Sequence, residues 1–234
     1  MKSSARGTVV LVHGAWADGS CWTNVIPPLR SRGLAVTAAP LPLTSFSEDT
    51  AAVRRSIGRT TGSVTLVGHA YAGAVIAAVQ HERVQSLVFV AALAPDEGET
   101  VADVFYRAAP HPEAPNLQPD SDGWIWMPEE YFGRAVAHKA PADQLAVMGA
   151  IQRPISVRCI QEKAPAPAWR AKPSWYLIAE EDRMIVPETQ AFMAGRMHAT
   201  IRAYATDHTP MYTAPSPVVD IIAEAAHTSS PRLP

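Results

Sequence analysis

The chain has 234 residues, which is enough for one domain with a large core. Its net charge of −2 excludes the basic footprint of a nucleic-acid-binding protein. Two cysteines, Cys21 and Cys159, are too few for a disulfide scaffold, and their spacing matches no metal-binding pattern. We find neither a secretory leader nor an apolar run of about 18 residues that could cross a membrane. A reducing, cytoplasmic setting without membrane or nucleic-acid partners is therefore expected.

Apolar runs that alternate with helical patterns organise the first part of the chain. The run TVVLVH over 8–13 is closed by Gly14, which is typical of a strand buried on both faces. The pattern further predicts a helix over 21–32 capped by Ser20, a strand over 34–39, a helix over 47–59 opened by Ser47, a strand and a helix within 63–78, and a strand over 85–93. This alternation predicts an α/β fold with a mostly parallel, doubly wound sheet.

The same pattern returns near the end of the chain. It predicts a strand over 174–179, a helix over 187–197, a strand over 200–205, a helix over 216–226 and a disordered tail over 227–234. We therefore assign residues 1–95 and 174–234 to one core.

The intervening segment, residues 96–173, differs in composition and is predicted to be an inserted helical cap. It is rich in proline and tryptophan, lacks a long β-branched run, and has helical patterns over 100–107, 128–136 and 142–151. Its large apolar side chains could line a pocket or could only pack the cap on the core; both interpretations stay open for Trp124, Trp126, Met127, Met148 and Trp169.

The stretch Ser63 to Ala78, SVTLVGHAYAGAVIAA, predicts a strand, a sharp corner and a helix. Its centre, Gly68-His69-Ala70-Tyr71-Ala72 followed by Gly73, has the form of the G-x-S-x-G nucleophile elbow. Glycine is needed there because the backbones pass closely. Ala70 occupies the position at which that motif carries its nucleophilic serine.

Two polar residues follow later strands. Asp182 comes after the strand SWYLIA, and His208 comes after the strand TIRAYAT. Parallel strands bring their carboxyl ends to one edge of the sheet, so both should lie near Ala70. The chain order of nucleophile position, acid and histidine is that of a hydrolase triad.

The loop His13-Gly14-Ala15-Trp16 follows the first strand. Acyl transfer needs two fixed N–H groups near the developing oxyanion, and we assign these to the backbones of Ala15 and Tyr71. His13 and His69 are expected to orient loops. Trp16 and His69 are also expected to border the substrate.

These motifs resemble those of α/β-hydrolases, in particular the compact esterase group that includes salicylate-binding methylesterases and hydroxynitrile lyases. The resemblance is carried by VLVHGAWADGSCW, LVGHAYAG, AEEDRMIVP and DHTPM, and covers nearly the whole chain. It implies the α/β-hydrolase fold and a cofactor-free, metal-free enzyme for small carboxylic esters, with a mobile cap. It also implies catalytic roles for Asp182 and His208. The departures are Ala70 in place of serine and Ala72 in place of the usual glycine.

Two explanations of Ala70 stay open. The chain is an inactive form of an ester hydrolase that still binds its ligand, or it is a natural non-hydrolytic homologue. The second would bind a ligand or use Asp182 and His208 for proton transfer, as a lyase does. Oligomeric state is left open by the sequence.

Overall fold

Six parallel strands form the central sheet of the structure, a computed structural model that describes residues 7–228. In sheet order they are β2 (Ala35–Ala39), β1 (Thr8–Val12), β3 (Val64–His69), β4 (Val84–Val90), β7 (Ser174–Ala179) and β8 (Thr200–Tyr204). Strands β1 and β3 are buried along their whole length, which requires helices on both faces of the sheet. The predicted doubly wound α/β sheet is confirmed.

The helices divide between the two faces. The helices of the core are α1 (Ile26–Ser31), α2 (Phe46–Gly58), α3 (Ala72–Ala77), α7 (Pro187–Arg196), α8 (Pro210–Thr213) and α9 (Pro215–Thr228). Side chains of α2, α3 and α7 share one apolar cluster with Val10 and Val12, whereas α1 and α9 share another with Val9 and Leu11. Alternate residues of β1 therefore serve opposite cores, as the pleat of a strand requires.

The predicted helix over 21–32 is wrong in its first half. The structure has a 3₁₀ turn, Gly19–Trp22, capped by the side chain of Asp18 rather than by Ser20, and α1 starts later. Proline has no N–H and is tolerated in a helix only at its first turn, so Pro27 and Pro28 define the beginning of α1. Similarly, Ser45 rather than Ser47 caps α2.

The segment between β4 and β7 contains more than helices. Its elements are α4 (Val101–Phe105), β5 (Trp124–Ile125), a π-helix (Phe132–Val136), α5 (Ala142–Ile151), β6 (Ile155–Ser156), α6 (Val157–Gln161) and a 3₁₀ turn (Ala168–Arg170). Strands β5 and β6 pair antiparallel, which the sequence pattern did not indicate. The predicted helix over 128–136 is reduced to the short π-helix. We keep the name cap for residues 96–173.

At the carboxyl end, α9 continues to Thr228, so residues 227 and 228 are helical rather than disordered. The rest of the predicted disordered tail, 229–234, lies outside the described residues. Within 7–228, no helix has the length and hydropathy needed to cross a membrane.

Candidate active site

The corner between β3 and α3 places Ala70 in a strained conformation at the end of the central strand. Ala70 has a φ of +50°, in the left-handed region that L-residues rarely adopt. Its backbone N–H donates to the Val90 carbonyl at 3.2 Å, and its carbonyl accepts from Leu93 N at 2.9 Å. The flanking glycines are required, since a Cβ at Gly68 would lie 2.6 Å from the Ala72 carbonyl oxygen and one at Gly73 would overlap the Leu93 carbonyl.

Asp182 and His208 form a buried pair beside this corner. The Nδ1 of His208 lies 2.7 Å from Oδ2 of Asp182, and both side chains are almost fully buried. His208 also lines the same cavity as Ala70. Its Nε2 has no hydrogen-bond partner among residues 7–228, so this nitrogen is available to a bound molecule.

The carboxylate of Asp182 is held by three further donors. Its Oδ1 accepts from the backbone N–H groups of Met184 at 2.7 Å and Ile185 at 2.9 Å, and its Oδ2 accepts from Gln190 Nε2 at 2.8 Å. Gln190 is fully buried on α7 and is anchored in turn by the backbone of Ala179. These bonds fix the carboxylate plane and thereby the ring of His208. Gln190 was not identified from the sequence.

His13 and His69 are both neutral and bonded to backbone. Burial lowers the pKa of His13 to about 4, and its Nε2 accepts from Leu41 N at 3.0 Å. Burial, then the neighbouring His208, holds the pKa of His69 well below its usual range. Its Nε2 donates to the carbonyl of His208 at 2.7 Å. This is in line with the expected loop-orienting roles, and His69 also lines the cavity.

The two residues assigned as oxyanion donors face the cavity as well. Ala15 and Tyr71 line it, and among residues 7–228 no acceptor is bonded to the backbone N–H of either. Gly14 permits the loop after β1 to approach the corner, because a Cβ there would lie only 3.1 Å from the Cβ of Ala70. Trp16, with φ +56°, also lines the cavity and donates its indole N–H to the carbonyl of Ile125 in the cap at 2.9 Å.

The cavity between core and cap has a volume of about 320 Å³ and is mostly apolar. From the cap, its lining includes Val101, Phe105, Leu117, Ile125, Phe132, Val136, Met148, Ile155, Val157 and Ile160. Neither lysine nor arginine occurs among the described lining residues, and Asp18 is the one carboxylate there.

Of the five large cap side chains that could line a pocket, Met148 lines the cavity, whereas Trp124, Trp126, Met127 and Trp169 do not. Ile125 lies between the two tryptophans and does line the cavity. Side chains alternate along β5, which directs Trp124 away from the face of Ile125, and Trp126, just after the strand, is 51% exposed. Met127 is buried against other cap residues, including Phe132 and Met148. Trp169 likewise packs in the core rather than in the lining.

Neither Cys21 nor Tyr71 replaces the missing hydroxyl at position 70. Cys21 lines the cavity, but burial raises the pKa of its thiol well above the usual range, so it stays protonated and weakly nucleophilic. The hydroxyl of Tyr71 is directed away to Asp49, at 2.7 Å.

Comparison with known proteins identifies the family. The model of the alpha/beta hydrolase family matches residues 9–221. The chain belongs to this family. The fold and the family expected from the sequence are thus confirmed.

Particular relatives add detail. A carbendazim hydrolyzing esterase from Nocardioides sp. (strain SG-4G) is 31% identical over 117 residues, or 43% of this chain, and the match spans about half (48%) of that esterase. The solved structure of polyneuridine aldehyde esterase is 18% identical with a TM-score of 0.81, covering 93% of this chain and 98% of that one. A point mutant of tomato methylketone synthase I is 19% identical with a TM-score of 0.81, covering 96% of this chain and 99% of that one.

Proposed function

We propose that this site is built to cleave small, uncharged carboxylic esters through an acyl-enzyme, and that this chain, with Ala70, binds such esters while hardly turning them over. The observation that carries the proposal is that one cavity, at a strained corner, is lined by His208, Ala15 and Tyr71, whose Nε2 and backbone N–H groups have no hydrogen-bond partner within residues 7–228. Among the described residues, only the attacking hydroxyl is lacking from an acyl-transfer site.

Each group would have a definite task. Asp182 would hold the ring of His208 so that Nε2 can accept a proton from a hydroxyl at position 70. The attacking oxygen would add to the ester carbonyl, and the N–H groups of Ala15 and Tyr71 would stabilise the negative charge on its oxygen. His208 would then return the proton to the departing alcohol. Water, activated by the same nitrogen, would release the acid.

The cavity lining supports an apolar, uncharged substrate. A charged acid would enter a largely apolar space in which no described lysine or arginine could compensate its desolvation. The esterases named above agree in reaction class.

The loss of the nucleophile in a comparable triad lowers turnover about a millionfold, or roughly 8 kcal/mol in the barrier. The remaining oxyanion donors and binding groups still accelerate the reaction by about a thousandfold over water. We therefore expect measurable binding and almost no turnover.

The decisive experiment compares the parent chain with Ala70→Ser on short-chain 4-nitrophenyl and methyl esters. The serine variant should show an initial burst followed by turnover, and the double variant Ala70→Ser/His208→Ala should lose both. If Ala70→Ser shows neither burst nor turnover over a broad panel of esters and lactones, the proposed function is wrong.

A second candidate is a natural non-hydrolytic reaction in which His208 moves a proton on a bound substrate without a covalent intermediate. It is favoured by Ala70 itself and by the similarity of fold to a protein named as a synthase rather than an esterase. In this case the parent chain would have activity that His208→Ala abolishes, and Ala70→Ser would gain none. A cytoplasmic location is part of the proposal and is supported by two buried cysteines that form no disulfide.

A further inference from the structure

Asp49, on α2, is a fully buried carboxylate that takes no part in the steps above. Its Oδ2 accepts a hydrogen bond from the hydroxyl of Tyr71 at 2.7 Å, and its Oδ1 accepts from the backbone of Leu43 at 2.8 Å. The thiol of Cys159, from the cap, donates to the same Oδ2 at 3.6 Å. Burying a carboxylate is unfavourable unless it is hydrogen-bonded, and these three donors offset that cost at Asp49.

Tyr71 connects this carboxylate to the proposed chemistry. Its backbone N–H is one of the two assigned oxyanion donors, and its buried side chain ends on Asp49. The residue directly before it is fixed by the hydrogen bond from Ala70 N to Val90. Tyr71 is therefore held at its backbone by the corner and at its hydroxyl by Asp49.

The protonation states of Tyr71 and Asp49 favour a hydrogen bond donated by the phenol to the carboxylate. Burial, followed by the neighbouring Asp49, raises the pKa of Tyr71 well above its usual range, so the phenol keeps its proton and stays the donor. Burial also raises the pKa of Asp49, and the hydrogen bond from Tyr71 opposes that rise.

The same carboxylate also joins the corner to the cap. Leu43, whose N–H is bonded to Asp49, has a φ of +61°, and its carbonyl accepts from the backbone of Ser156 at 2.9 Å. Two residues before it, the carbonyl of Leu41 accepts from the guanidinium of Arg153 at 2.8 Å. The cap thus docks on the segment that Asp49 holds in place.

We propose that Asp49 is a positioning residue of the oxyanion site: by holding the hydroxyl of Tyr71, it fixes the direction of the Tyr71 N–H and links that direction to the docked cap. This inference rests on the proposed function. Such positioning matters because an oxyanion donor must be held within about 0.5 Å and 10–20° of its productive geometry.

The test uses Ala70→Ser as the active background and adds Tyr71→Phe or Asp49→Asn. Each should lower kcat about tenfold and leave KM within about twofold, since a misdirected donor loses part of the roughly hundredfold effect of one oxyanion donor. The two changes together should cost little more than either alone, because both remove the same hydrogen bond from the Tyr71 hydroxyl to the Asp49 carboxylate.

A second readout separates positioning from simple destabilisation. An aryl trifluoromethyl ketone forms an adduct with a negatively charged oxygen, so its affinity should fall by the same factor as kcat. The corresponding methyl ketone, which resembles the ground state, should bind unchanged.

Thr65→Val is the matched control. It breaks a buried side-chain hydrogen bond of 2.9 Å between Thr65 on β3 and Ser86 on β4, away from the corner. It should lower thermal stability and leave kcat and the ketone affinities as in Ala70→Ser. If Tyr71→Phe and Asp49→Asn behave in the same way as this control, the positioning role is refuted.

Hydrogen exchange tests the same role in the parent chain, where no turnover is needed. The amides of Gly73 and Ala74 donate to the carbonyls of Ala70 and Tyr71, at 3.1 and 3.0 Å, and report the opening of the corner. Their hydrogen exchange should become about tenfold faster in Tyr71→Phe but not in Thr65→Val. If Ala70→Ser has no activity, the proposed function fails, but the exchange measurement still tests whether Asp49 holds Tyr71 in place. Faster exchange supports that role, and unchanged exchange overturns it.

Discussion

Core and cap contribute to one cavity in different ways. On the core side, every group is fixed by backbone that continues a sheet strand or by buried hydrogen bonds, as at Ala70, Asp182 and His208. On the cap side, short elements supply apolar side chains and few directional contacts, apart from ties such as Trp16 to Ile125. Under the proposed function, chemistry that needs exact direction would therefore lie on the core, whereas shape and apolar affinity would lie on the cap.

The largest effect should come from crowding the corner itself. In Gly73→Ala, the added methyl would overlap the Leu93 carbonyl and lie 2.7 Å from the Cβ of Ala92, which should reduce the free energy of unfolding by about 3 kcal/mol. Urea denaturation measures this. Gly195→Ala, on α7, is the control, because the added methyl would meet nothing within 4 Å. This change should be neutral or slightly stabilising. Equal effects of the two changes would show that the corner is not tightly packed.

Lowering the pH should have the second-largest effect, because it should destabilise the folded core. The pKa of His13 is about 4 in the folded chain, against 6.5 when unfolded, so between these values only the unfolded chain takes up the proton. The free energy of unfolding should fall as the pH is lowered from 6.5 to 4, by about 2–3 kcal/mol from this group. In His13→Gln the fall should be smaller by that amount. Denaturation curves at several pH values test this, and parallel pH profiles of the two proteins would contradict it.

Removing a hydrogen bond that holds the carboxylate of Asp182 should have a moderate effect on kcat. In the Ala70→Ser background, Gln190→Leu removes one of the two donors to Oδ2 of Asp182, which should lower kcat about tenfold. Gln85→Leu, at an exposed position of β4, serves as the control. An unchanged kcat in Gln190→Leu would mean that the backbone bonds from Met184 and Ile185 suffice.

The smallest effect is expected on the cap side. Ile125→Ala should weaken the binding of an apolar ester to the parent chain about three- to tenfold, since the side chain lines the cavity. Trp126→Ala, one residue on, should leave affinity within about twofold, because this side chain is half exposed outside the lining. Calorimetry distinguishes them, and a larger loss for Trp126→Ala would reverse our assignment of the two faces.

The same division explains what the sequence could predict. Long buried runs, their order, and the rule that parallel strands end at one edge were sufficient to bring Ala70, Asp182 and His208 together. Asp49, in contrast, has the appearance of an acidic residue in the first turn of a helix, and its partner Tyr71 lies 22 residues away. Gln190 is similarly indistinguishable from any polar residue of a helix. Their roles depend on tertiary contacts that no local pattern carries.

The cap was less predictable for another reason. Its strands β5 and β6 have two residues each, too few for an alternating pattern to show which side chain of the WIW sequence faces inward. Proline and tryptophan content indicated an insertion, but not which of its residues would border the cavity.

The left-handed backbone at Ala70 has a consequence for how this chain can change. A non-glycine residue in that conformation costs on the order of 1 kcal/mol, and the neighbouring glycines and hydrogen bonds maintain it although no hydroxyl is present. Alanine and serine codons of the GCN and TCN sets differ in a single base. A lone nucleotide substitution would thus set an oxygen at the apex of a corner that is already shaped to present it, with no rearrangement of the main chain.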